Sequence, residues 1–124
     1  MIRGTLITES LRPGSTLDLT RIGTLTVREI RRFATHDVPA WQPGIWTVLE
    51  FDADDAAAES LAGEFADMLD QPGWYVNFSS AQETFVIYPG RVFRYPRGDA
   101  GGRAAAQAHG RALGVPEPQL DWTE

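Results

Sequence analysis

The chain has 124 residues, eleven basic side chains that are all arginine, seventeen acids and a net charge of −6. That length predicts one domain able to bury a core without staples, and the absence of cysteine removes disulfides and thiolate chemistry. The acidic balance disfavours bulk nucleic-acid binding. No apolar run reaches the roughly 20 residues of a membrane span and Met1-Ile2-Arg3 opens no secretion signal, so a cytoplasmic protein is expected.

Met1–Leu11 alternates Ile2, Gly4, Leu6 and Thr8 against Arg3, Thr5, Ile7 and Glu9, which predicts a strand. Arg12-Pro13-Gly14-Ser15 turns it, and Thr16–Thr20 reads as a short return strand. Thr24–Phe33 is a further strand, with Leu25, Val27 and Phe33 on one face and Thr26, Arg28 and Arg32 on the other. Ile30 falls on the polar side and breaks the pattern. Ala34–Gly44 contains Pro39, Pro43 and Gly44 and is expected to be an irregular loop. Ile45–Phe51 is again a strand, with Trp46, Val48 and Glu50 sharing a face.

Asp54–Asp70 carries Ala58, Leu61, Phe65, Met68 and Leu69 on one stripe at helical spacing, with Glu59, Gly63, Glu64, Asp67 and Asp70 facing away. Asp52, Asp54 or Asp55 can cap its amino end, and Pro72-Gly73 stops it. Gly73–Asp99 then holds seven aromatic residues in three short runs. Trp74–Phe78 puts Trp74, Val76 and Phe78 on one side of the pleat and Tyr75 and Asn77 on the other. Thr84–Tyr88 is almost wholly apolar, as a strand buried on both faces would be. Arg91–Tyr95 is amphipathic and suits an edge. Two tight connections between the three runs predict an antiparallel meander. Asp99 can cap a second, small-residue helix that runs to Leu113 and ends at Gly114. Residues 115–124 form a tail whose Trp122 is expected to fold back. The fold class is therefore α+β: a largely antiparallel sheet of about six strands with two helices, in the order β-(β)-β-β-α-β-β-β-α.

Chemistry is sparse. His36 and Asp37 are the only candidates for a base and its orienting carboxylate, and His109 could join them at a metal site. A surface loop is the plainer account of the first two, and neither a metal nor a cofactor is expected. Gly98–Arg103 is a glycine-rich turn into a helix but lacks a Walker ending. Arg91, Arg94 and Arg97 resemble an anion patch, although ion pairs with nearby carboxylates explain them as well.

The string GWYVNFSS…ETFVIYPGRVFRYPRGD resembles one found in small actinobacterial, Streptomyces-like proteins labelled hypothetical, a group that implies no activity, cofactor or catalytic residue. The all-arginine, Ala- and Gly-rich composition agrees with a GC-rich genome.

Residues 50–90 hold nine acids and no arginine. The leading functional expectation is therefore a non-enzymatic interaction protein, regulatory or protective, that meets a basic protein partner through Glu59, Glu64, Asp67 and Asp70. The alternative is a small-molecule binder or accessory enzyme with a pocket at the Ala34–Gly44 loop, where Trp41, Gln42 and Trp46 would contact the ligand. A homodimer covering the apolar surface of residues 2–9, by edge pairing or by face packing, is also expected, because the N-terminal strand reads as a poorly protected sheet edge and the alanine-rich second helix offers little cover.

Overall fold

The computed structural model describes all 124 residues. Six strands form one antiparallel-paired sheet: β1 (Ile2–Ile7), β2 (Leu25–Ala34), β3 (Ile45–Ala53), β4 (Val76–Ser79), β5 (Glu83–Tyr88) and β6 (Arg91–Pro96). Their spatial order is β2-β3-β1-β4-β5-β6. The two substantial helices are α2 (Ala58–Met68) and α3 (Ala100–Leu113). The α+β expectation holds, with the sheet and both helices in the predicted order. Where a short return strand was expected at Thr16–Thr20, the chain instead makes α1 (Leu19–Ile22), capped by Asp18, which accepts from the Thr20 amide at 3.0 Å.

β1 is not an edge. It lies between β3 and β4 and pairs antiparallel with both, so the expected edge pairing through residues 2–9 loses its geometric basis. Ile2 and Leu6 are core residues already. Since β3 and β4 both oppose β1, they run parallel to each other, and β3-α2-β4 is a crossover with β1 inserted into its gap. The true edges are β2 and β6.

Two apolar layers sandwich the sheet. On one face α2 brings Leu61, Ala62 and Phe65 against Phe51, Phe78, Phe85 and Ile87. On the other, α3 and the C-terminal segment cover Val86, Tyr88 and Tyr95. β5 thus alternates between two cores, which is why its sequence is apolar throughout. Two close approaches make these layers possible. Gly4 stands opposite Phe51 and Phe78, and a Cβ there would sit 2.6 Å and 2.8 Å from their atoms. Gly102 and Gly110 let α3 lie against Tyr95 and Tyr88, and the Tyr88 hydroxyl donates to the Ala106 carbonyl at 2.7 Å.

The pattern break at Ile30 has a local cause. The register of β2 on β3 shifts between Val27 and Glu29, leaving Arg28 as the additional residue of a β-bulge. Beyond the bulge Ile30 opposes Leu49 and so shares the face of Val27, which opposes Phe51. Phe33 opposes Trp46 and is therefore on the face away from Val27, contrary to simple alternation.

Candidate functional site

Helix α3 and the tail cover the second face of the sheet only over β4, β5 and β6. The tail is a fixed wall. Trp122 donates its indole N–H to Tyr95 at 2.7 Å, and the Tyr95 hydroxyl donates to the Glu124 carbonyl at 2.8 Å. Arg103 reaches the Thr123 carbonyl at 2.8 Å, Gln107 the Leu120 carbonyl at 3.1 Å, and Tyr75 donates to the carbonyl of Gln119. Desolvation is the main reason the Tyr75 hydroxyl is held well above its ordinary pKa, with the charge of Asp121 adding to it.

Between this wall and the uncovered half of the sheet runs a trough. It follows the β1–β4 seam, where only three residue pairs join the strands: Arg3 with Ser79, Gly4 with Phe78 and Thr5 with Asn77. One section, of about 320 Å³, is lined by Ile7, Trp46, Trp74, Tyr75 and Pro118. The other, of about 460 Å³, is lined by Arg3, Arg28, Glu50, Arg97 and the end of the tail. Thr5, Asn77 and Asp121 line both sections, so they form one depression, aromatic at one end and ionic at the other. A third cavity, of about 370 Å³, adjoins the aromatic end and shares Trp46, Pro118 and Gln119 with it.

Trp46 therefore stands where two cavities meet. Its ring packs edge-on to Trp74, with centroids 5.7 Å apart. Its indole nitrogen is the one buried side-chain nitrogen or oxygen in the protein without a hydrogen-bond partner. Such groups are rare in native folds, because a buried donor without an acceptor has lost its water for no return.

The other anticipated residues have varied places. His36 and Asp37 are exposed and line the third cavity, Asp37 with φ at +56°. Trp41 packs edge-on against Trp74 at 5.5 Å and lines none of these three cavities. Gln42 is buried and bound to Gln119 by a reciprocal amide pair at 2.9 Å and 2.8 Å, which ties the loop to the tail. His109 lies on α3 between Tyr88 and Phe93, at ring distances of 4.9 Å and 5.3 Å. Burial and, after it, the nearby Arg91 charge lower its pKa. No three His, Asp or Glu side chains converge as metal ligands would.

The arginine cluster is engaged internally. Arg94 holds Glu83 at 2.9 Å through a second nitrogen of its fork, Arg97 reaches Glu124 at 2.9 Å, and the Arg91 guanidinium lies 4.6 Å from the Phe93 ring centre. Asp99 caps α3 through the Gly101 amide at 3.2 Å, so its own carboxylate occupies the glycine-rich turn.

Much of the acidic run is also paired. Asp52 meets Arg28 at 2.8 Å and Arg3 at 3.5 Å, Glu50 meets Arg31 at 2.8 Å, and Glu64 meets Arg21 at 3.4 Å. Asp70 accepts from the Gln71 amide. Glu59 is 86% exposed with only a 3.8 Å contact to Arg94, and exposed Asp67 has no ion pair. No helix is long and apolar enough to cross a membrane.

Thr5 and Asn77 went unnoticed in the sequence because short polar side chains on a strand look like any solvated face, and Asp121 because it lies in the irregular tail. The alternation of Arg3, Thr5 and Ile7 was the available signal. Comparison with protein-family models, with curated proteins and with solved structures finds no match to this chain.

Proposed function

We propose that the protein is a binding module for a small amphipathic molecule, held in the trough along the β1–β4 seam. The observation that carries this reading is the continuity of the aromatic and ionic sections through Thr5, Asn77 and Asp121. A planar apolar group would lie by Trp46, Trp74 and Tyr75, where aromatic faces give area at little entropic cost. A polar group would extend towards Arg3, Arg28 and Glu50. Arginines and acids are mixed there, so the ligand's polar end carries donors and acceptors of both kinds. The test is a fragment screen followed by the four tryptophan indole N–H signals in nitrogen–proton NMR spectra. Aromatic zwitterions are expected to shift the Trp46 signal, and Thr5→Val with Asn77→Leu to abolish the shift. If no aromatic fragment at millimolar concentration moves Trp46, the reading fails.

A second reading, contact with a basic protein, rests on the exposed Glu59 and Asp67 of α2. It predicts retention of a basic partner that is lost at high salt and lost in Glu59→Gln/Asp67→Asn. The trough is better supported, because internal arginines already answer several other acids of that run.

A further inference from the structure

The two edges of the sheet are finished differently. β6 has six residues, ends in Pro96, and offers Arg91 and Arg94 to solvent. Proline lacks a donor and short charged edges discourage pairing. β2 has ten residues, and the nine from Thr26 to Ala34 are all exposed. They include Val27, Ile30 and Phe33, of which Ile30 is 66% exposed. No proline protects this edge, and past the bulge the charges that flank Ile30, Glu29 and Arg31, are of opposite sign, so its unpaired backbone groups form a template for a strand of complementary charge.

We propose that a second copy of this chain pairs with the free edge of β2, antiparallel and centred on Ile30, so that one sheet continues across a twofold axis. The sequence around Ile30 is complementary to itself in that register. Ile30 meets its own counterpart on the α2 face, and on the other face Glu29 of each copy meets Arg31 of the other, twice by symmetry. Arg31 already lies 2.8 Å from Glu50 and 3.5 Å from Glu29, so it is held on that face by its own chain. The next positions out, Arg28 and Arg32, would repel in an uninterrupted strand. The bulge prevents this: Arg28 is drawn to Asp52 at 2.8 Å, whereas Arg32 donates to Thr47 at 2.9 Å, and Asp52 and Thr47 are an odd number of residues apart on β3 and so on opposite faces. Glu29, Ile30 and Arg31 line neither section of the trough, and Glu29→Arg and Ile30→Cys leave every lining residue in place, so the interface is tested apart from the ligand reading.

Light scattering at high micromolar concentration is expected to give the mass of a dimer. Glu29→Arg and Arg31→Glu each oppose like charges across the axis and should each raise the dimer dissociation constant about tenfold or more. Mixing these two single variants restores both attractive pairs and should bring the dimer back as a mixed species. Because the chain has no cysteine, Ile30→Cys provides a second readout: mild oxidation should join two copies, whereas Val92→Cys on the opposite edge should not. A monomeric wild-type mass, a dimer indifferent to both charge reversals, a mixture that stays monomeric, or cross-linking through Val92→Cys in place of Ile30→Cys would each overturn the proposal.

Discussion

Gly4 shows how much a single missing side chain can decide. A methyl group there would meet the Phe51 ring and the Cβ of Phe78, and neither can retreat because both pack on Phe65, with ring centres 6.1 Å and 6.5 Å away. Gly4→Ala is expected to destabilise the fold by about 1–3 kcal/mol, read from the urea midpoint, although alanine suits a strand better than glycine. His109 offers a pH test. Its pKa is lowered in the fold from an ordinary value of 6.5, because burial and then Arg91 disfavour the imidazolium. Tyr88, Phe93 and Arg91 are the groups it faces, and none supplies a compensating negative charge. The neutral form is thus favoured on folding, so its contribution is fully present above the unfolded pKa and is lost as pH falls towards the folded one. As pH falls below about 7 the wild type should lose stability more steeply than His109→Gln.

The elements divide into those written in local sequence and those that are not. The α2 stripe, the three runs of the meander, and the Asp99 and Gly114 ends of α3 were legible because each depends on residues a few positions apart. The C-terminal segment was legible only in outline: Trp122 announced its return, but the amide pair between Gln42 and Gln119 spans 77 positions and leaves no local trace. The bulge at Arg28 made a correctly placed Ile30 look misplaced, since one additional residue reverses every later side chain. The same elements give two predictions. Trp122→Ala removes a ring that packs 5.2 Å from Tyr75 and the donor to Tyr95, and should cost about 3 kcal/mol or more. Trp46→Phe gives up no hydrogen bond, so its melting temperature should fall much less, while ligand-induced shifts at the trough disappear.

At the scale of the whole molecule the sheet is two halves joined at a narrow seam: β2-β3-β1 on one side and the meander on the other, with three residue pairs between them. Helix α2 bridges the halves on one face, and the trough occupies the seam on the other. The position of β1 has a consequence for how the chain is made. β1 leaves the ribosome before either of its neighbours and finds its six pairs with β3 only after residue 53 exists, and its three with β4 only after residue 79. Until then its backbone groups are unpaired, and a sheet built without it would have a vacancy of its shape between two parallel strands. A chain lacking residues 1–11 should therefore be recoverable by a synthetic peptide of those residues added in trans, as restored protection of the β3 and β4 amides against hydrogen exchange would show. Gly4→Ala in the peptide should block the rescue, which makes the smallest residue of the strand the key to its lock.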